Sequence, residues 1–286
     1  MYKKYVNKLI LPTENKEVDY FLSLRRRIYN GLYPFKIFPQ KGLNKIELAP
    51  ITIFYGGNGS GKSTLLNIIA EKAEVIKHSA FNKTALFADY VDECILDSNE
   101  IPSHSQILTS DDVSDYLLNV RYLNLGLDIR RVELIKEYVE RKNEKLQSID
   151  IEAFDDWQEY YDAKNKPEEQ FVKDRLMANT ELKSNGESAM KYFVEHITED
   201  ALYLLDEPEN SLSIDLQLEL KEFIEASSRH FGCQFIIASH SPVLLSIDDA
   251  LIYDLDTVPV QKCKWTELEN VRKYFDFFEK HRSEFI

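Results

Sequence analysis

Glycines at 56, 59 and 61, followed by Lys62 and Ser63, have the types and spacing to hold a phosphate group. Without a Cβ, a glycine admits backbone conformations that turn successive amides toward one anion. The run Gly56-Gly57-Asn58-Gly59-Ser60-Gly61-Lys62-Ser63-Thr64 therefore reads as a loop whose N–H groups converge on phosphate oxygens. Lys62 adds a point charge toward the β- and γ-phosphates, and the Ser63 hydroxyl is placed to ligate Mg²⁺. Each charge-assisted hydrogen bond contributes roughly 1.5–3 kcal/mol, so Lys62 with two or three amides supports micromolar nucleotide binding. Farther along, Asp206 and Glu207 close one apolar run and His240 closes another. Asp206 is suited to hold Mg²⁺, directly or through water. Glu207 is suited to orient and deprotonate an attacking water, and His240 to donate a hydrogen bond to a γ-phosphate. Singly, the acidic pair reads as a solvated turn and the histidine as a satisfied surface group. Taken with the phosphate loop and their order in the chain, they point to hydrolysis of a nucleoside triphosphate.

These groups need elements that bring them together. Ile51, Ile53 and Tyr55 belong to a β-branched and aromatic run that predicts a buried strand, and Leu65, Leu66, Ile68 and Ile69 mark a helix after the loop. The runs 201–205 and 233–238 predict two more buried strands, with Leu216, Leu220, Phe223 and Ile224 on a helix between them. Strand, helix and strand in that order form a parallel crossover, and ligands bind beyond the carboxyl ends of such strands. Residues 251–254 read as a last strand, and 266–281 as a helix with Leu268, Val271, Phe275 and Phe278 on one side. Between residues 5 and 50, short strand-like pieces at 9–11, 35–38 and 46–48 predict an antiparallel part, and 84–88 reads as a strand. Tyr29, Tyr33, Phe35 and Phe38 include candidates for stacking on adenine, with core packing the default for each.

Net charge is −14 over 286 residues, and its distribution is informative: residues 92–182 hold 22 acidic and 11 basic side chains. That stretch reads as helical, with helices expected from about 111, over 130–146, 151–161 and 167–182, and too short for a coiled coil of many heptads. Its charge repels phosphate backbones, so it predicts no nonspecific nucleic-acid binding through this segment. The basic clusters at 25–27 and at Arg130-Arg131 read as solvated faces. Only three apolar residues in a row precede Pro12, which predicts no signal peptide, and no run approaches the 18 or so residues of a membrane span. Cys94, Cys233 and Cys263 lack metal-ligand or redox spacing, as in a reduced, cytoplasmic protein.

Together the motifs resemble an ABC-type ATPase head, and more narrowly the soluble branch that includes the SMC, RecF and OLD-like proteins. Residues 56–63 match its Walker A wording, and residues 202–208 its Walker B with the catalytic glutamate. Glu209-Asn210-Ser211-Leu212-Ser213 resembles the D-loop, and Ala238-Ser239-His240-Ser241-Pro242 the switch-histidine loop. Ser184-Asn185-Gly186-Glu187-Ser188 is similar to the signature motif in its Ser-x-Gly-Glu form; alone, it is a common loop-to-helix junction with Ser184 or Asn185 as N-cap. The resemblance implies an α/β P-loop NTPase core with a mostly parallel sheet, an N-terminal antiparallel part and a helical insert. Its expected divisions are 1–97, an insert at 98–182, and 183–286. Departures are Ser213 where the D-loop carries aspartate, with Asp215 two residues on, and no glutamine after a strand for the Q-loop. Gln106 is a weak candidate there, and Ser110 or Asp111 an alternative.

What the resemblance implies is an ATPase using ATP and Mg²⁺, with Ser184, Gly186 and Glu187 meeting the γ-phosphate bound by a second copy. Such a homodimer would drive a separate protein effector in DNA maintenance or antiphage defence, with nucleic acid left open and no membrane partner. The alternative is the ATP-binding subunit of a membrane transporter, which needs a clear Q-loop and usually a Leu-Ser-Gly-Gly-Gln signature. An OLD-type nuclease would need a further metal-dependent domain after His240, where 46 residues follow.

Overall fold

Uninterrupted apolar runs form strands covered on both faces, because no side of such a strand tolerates water. The computed structural model describes residues 2–24, 31–81, 83–143, 161–176 and 184–285. Its strands are β1 (Val6–Ile10), β2 (Lys45–Glu47), β3 (Ile51–Tyr55), β4 (Ile76–Lys77), β5 (Ile95–Ser98), β6 (Gln106–Thr109), β7 (Leu202–Asp206), β8 (Gln234–Ala238), β9 (Leu251–Asp254) and β10 (Gln261–Cys263). Among the described residues, seven strands form a sheet ordered β10-β9-β3-β8-β7-β6-β4, parallel except for β10 against β9, and β2-β1-β5 form a separate antiparallel sheet. Every residue of β3 and β8 is buried. Register places Phe54 and Asp206 on either side of Ala238, and Thr109 beside Asp206. The carboxyl ends of β3, β8, β7 and β6 therefore stand in one row.

The helices are α1 (Glu14–Ser23), α2 (Lys62–Lys72), α3 (Phe87–Glu93), α4 (Ser110–Asn143), α5 (Glu168–Lys173), α6 (Asn185–His196), α7 (Ile214–His230), α8 (Pro242–Leu245) and α9 (Glu269–Lys280). The α2 helix buries Leu65, Leu66, Ile68 and Ile69 in one core with Phe54, Leu204 and Ile236 of the sheet and Leu9 and Ile46 of the antiparallel part. The parallel crossover runs from β7 through α7 to β8, as its apolar pattern predicts.

One fully buried side chain ties the two sheets. Gln234 on β8 accepts from the Tyr5 and Val6 amides at 2.7 and 2.9 Å and donates to the Val6 and Ala49 carbonyls at 2.8 and 3.0 Å. Replacing it by leucine keeps the volume but strands two N–H and two C=O groups away from water, each costing about 1–3 kcal/mol. Gln234→Leu is therefore expected to lower unfolding free energy by about 4 kcal/mol or more, read from a urea transition.

The chain forms two compact units, residues 1–113 with 185–286, and residues 114–184. Residues 106–109, which fall within the stretch expected as an insert, form a strand of the main sheet. In the second unit, Leu134, Tyr138, Ala163, Phe171 and Val172 make a small core, and Asp162 pairs with Arg175 at 2.8 Å and Lys166 at 3.1 Å. Arg130 and Arg131 pair with Glu133, Glu137 and Asp128 at the surface, as a solvated face would. Helix α4 is one 34-residue rod where two shorter helices are expected. Its start is a reciprocal cap: Thr109 Oγ1 accepts from the Asp112 amide at 3.2 Å, and Asp112 Oδ2 accepts from the Thr109 amide at 2.7 Å. The basic cluster at 25–27, Tyr29, most of the expected helix at 151–161 and the ends of those at 130–146 and 167–182 lie outside the described residues.

Two local expectations are corrected. Residues 84–88 lead into α3, since the buried side chains Leu86, Phe87, Tyr90 and Val91 recur at helical rather than alternating spacing. Residues 35–38 turn instead of extending, with Lys36 at φ 67 between the buried Phe35 and Phe38 rings. On α9, Val271 is buried but Phe275 and Phe278 are more than half exposed, with Tyr274 and Phe277 beside them.

Candidate nucleotide site

The phosphate loop joins the end of β3 to the start of α2, so its amides sit at the helix's positive end. Gly61, at φ 103, is the helix cap; a Cβ there would stand 3.1 Å from the Phe38 ring in a conformation that L side chains resist. Gly61→Ala is expected to cost about 1–3 kcal/mol of stability and to weaken nucleotide binding, checked by thermal melting and calorimetric titration. Within the loop, the buried Ser60 Oγ has no partner among the described residues, and the Lys62 ammonium is buried against the loop, donating to Gly56 O at 2.6 Å and Gly57 O at 3.3 Å. A cavity of 480 Å³ opens here, lined by Tyr33, Ile37, residues 57–64 and Glu207.

The acidic pair stands opposite. Ser63 Oγ donates to Asp206 Oδ1 at 3.0 Å, and Glu207 Oε1 is 3.6 Å from Lys62 Nζ. Burial pushes the Asp206 carboxyl up to about 6, and the Glu207 and Glu209 charges push the same way against the Ser63 hydrogen bond and Lys62. A carboxylate desolvated in this way, beside a hydroxyl, fits a divalent cation. Mg²⁺ takes one or two protein oxygens when phosphates and water supply the rest, and among the described residues no cluster of three His, Cys, Asp or Glu offers a fuller cage. Glu207 sits at φ 49, a conformation costing on the order of 1–3 kcal/mol that persists only where the surroundings impose it. Here its amide donates to Ala238 O at 2.9 Å, and Asn210 Nδ2 donates to its Oε2 at 3.2 Å.

His240 follows β8, with Nδ1 3.8 Å from Glu207 Oε1 and 3.6 Å from Glu209 Oε1 and half the ring exposed. The structure thus brings Lys62, Ser63, Asp206, Glu207 and His240 to one edge of the sheet. Gly56, Gly57, Asn58, Gly59, Ser60, Gly61 and Thr64 complete the loop. Gly186 and Glu187 lie in the first turn of α6, and Ser184 just before it; none of the three lines this cavity or its neighbour. A Cβ on Gly186 would stand 2.7 Å from Leu216 Cδ1 and 3.1 Å from Ser211 O, so close packing against the D-loop region also requires glycine there.

Gln106 is at the wrong end for a Q-loop. It begins β6, where its side chain bonds His78 and the His196 carbonyl, because a parallel strand presents its carboxyl end to the ligand. Thr109, Ser110 and Asp111 occupy that end and line a 320 Å³ cavity with Ser63, Asp206 and Tyr33. Of the aromatics, Tyr33 lines both cavities and its hydroxyl is 3.0 Å from Thr64 Oγ1, whereas Phe35 and Phe38 are core residues. Asp256 gives no signal in the sequence. Beyond β9, its two carboxylate oxygens accept from the Gly57 amide at 2.9 and 3.1 Å.

Residues 44–210 match the family model described as ABC transporter. The ATP-binding protein TupC of a tungstate uptake system from Campylobacter jejuni is 23% identical over 253 residues, which cover 82% of this chain and 66% of the relative. The chain therefore spans about two thirds of that relative's length. Among solved structures, the Smc head domain of Pyrococcus furiosus, with an extended coiled coil and bound to the C-terminal domain of ScpA, is 13% identical, covering 98% of this chain and 100% of its own, with a TM-score of 0.43. The transporter component cbiO1 of Clostridium perfringens is 14% identical, covering 96% and 95%, with a TM-score of 0.38. With the family match spanning more than half of its length, the chain belongs to the ABC transporter family of ATP-binding proteins, whose members hydrolyse ATP.

Proposed function

We propose that the chain binds Mg-ATP in the cleft at the phosphate loop, closes head to head on a second copy, and reopens on hydrolysis. The observation that supports this most is the convergence of Lys62, the Ser63–Asp206 pair and Glu207 on one cleft edge, with His240 3.8 Å from Glu207. Loop amides and Lys62 hold the phosphates. Mg²⁺, held by Ser63 and Asp206, supplies charge neutralisation. Glu207 takes the proton of the attacking water, and His240 donates to the γ-phosphate. Ser184, Gly186 and Glu187 line neither cavity of their own chain and meet the nucleotide held by the second copy.

The opening and closing is passed to a separate protein effector, through the helical insert or through α9, whose aromatic side chains at 274, 275, 277 and 278 are more than half exposed. The setting is DNA maintenance or antiphage defence in the cytoplasm. A second reading, the ATP-binding subunit of a membrane transporter, draws on the family description and on the tungstate uptake relative. Against it stands the carboxyl end of β6, which carries Thr109-Ser110-Asp111 in place of a glutamine. No described helix is long and apolar enough to cross a membrane, which either reading accommodates. Purification of the tagged chain from detergent-treated native cells, with identification of what accompanies it, separates the two. A soluble effector supports the first reading, and a polytopic membrane protein the second.

A further inference from the structure

The loop that carries His240 is anchored by a carboxylate that lines neither cavity. Glu209, 6% exposed, gathers three donors on one oxygen: Ser239 Oγ at 2.8 Å and the amides of His240 and Ser241 at 2.9 and 3.2 Å, all to Oε1. These bonds join the turn after β7 to the turn after β8. The same loop is tied elsewhere by the Ser239 amide, which donates to Phe54 O at 3.1 Å, and by Ser241 Oγ, which donates to Gln217 Oε1 at 2.6 Å. Glu209 is the one of these anchors that bonds the backbone of His240 itself. With that amide fixed, the ring stands with Nδ1 3.8 Å from Glu207 Oε1.

We infer that Glu209 is a positioning residue for hydrolysis: it holds the backbone of the 239–241 loop so that His240 faces the site beside Glu207. The inference rests on the reading of Glu207 and His240 as the hydrolytic pair. Because Glu209 lines neither cavity, its loss leaves nucleotide binding intact and slows the chemical step. The second carboxylate oxygen, Oε2, is buried without a partner among the described residues. Replacing that oxygen by an amide nitrogen therefore breaks no bond, while the remaining oxygen still accepts from all three donors. Glutamine should serve in this position, whereas alanine removes the acceptor of Ser239 Oγ and of the His240 amide, leaving the Ser241 amide only its 3.0 Å bond to Ser239 Oγ, and aspartate falls one methylene short of them.

The test compares the wild type with Glu209→Ala, Glu209→Gln and Glu209→Asp, using single-turnover hydrolysis at saturating Mg-ATP and the dissociation constant of a fluorescent ATP analogue. Expected are a loss of at least tenfold in rate for the alanine and aspartate variants, analogue affinity within threefold of wild type throughout, and at least a third of the wild-type rate for glutamine. Should the alanine variant not fold, the aspartate and glutamine pair carries the comparison. An alanine or aspartate variant within twofold of the wild-type rate overturns the inference. So does a glutamine variant as slow as alanine, or a fall in affinity that parallels the fall in rate. A wild type that binds the analogue and does not hydrolyse ATP overturns the hydrolytic reading itself, and the positioning role with it.

Discussion

Lys62→Ala is expected to lose at least a hundredfold in ATP affinity. The ammonium is 5% exposed and rests against the loop carbonyls of Gly56 and Gly57, where it is a fixed positive charge beside the converging amides. Its bonds to phosphate oxygens are of the charge-assisted kind, roughly 1.5–3 kcal/mol each, and two of them amount to about 3–6 kcal/mol, or roughly 10²–10⁴ in the dissociation constant. Alanine also removes the positive partner of Glu207, 3.6 Å away, leaving a carboxylate facing the incoming phosphates. Both effects act in the same direction. Isothermal titration with Mg-ATP reads the loss directly, with thermal melting as the control that the sheet core is intact. Affinity within threefold of wild type would mean that the loop does not cradle phosphate.

The second large effect separates binding from chemistry. Glu207→Gln keeps the volume, and its amide oxygen can still accept from Asn210, so the local geometry is retained. What disappears is the proposed base. Proton transfer by a positioned carboxylate contributes typically about 10²–10⁴ in rate, so turnover is expected to fall by that factor. Binding is expected to hold or tighten, because Lys62 no longer shares its charge with a neighbouring carboxylate. The measurement is phosphate release at saturating ATP beside a binding isotherm. Turnover within tenfold of wild type would assign the base to another residue.

Much of this site was legible because it is written in local patterns. The phosphate loop is one contiguous stretch, and Asp206 and His240 each follow an apolar run that could only be a covered strand, so parallel topology alone placed them at one edge. The residues that escaped are those whose partners lie far along the chain. Glu209 reaches the loop at 239–241, Asp256 reaches Gly57 across 199 positions, and Gln234 bonds Tyr5 and Val6 from the other end of the sequence. Nothing in local periodicity marks such contacts. Segment 84–88 failed for a different reason: an apolar run so short fits strand or helix, and only packing decided for the helix. The aromatics of α9 show the opposite limit. Helical spacing located the helix correctly, but hydrophobic pattern cannot tell a face buried in its own chain from one left at the surface, as Phe275 and Phe278 are. Chain order already set the weak candidate Gln106 at the amino end of its strand, and the alternatives Ser110 and Asp111, which follow the strand, are the residues found at the cleft.

If a second copy completes the nucleotide site, as proposed, the mass of Glu207→Gln in solution must depend on ATP. Light scattering at fixed protein concentration, without nucleotide and then with Mg-ATP, is expected to show the mass doubling on ATP and reverting when ATP is removed. A mass that stays that of one chain in saturating Mg-ATP, in protein shown by titration to have bound it, would mean that no second copy closes on the bound nucleotide.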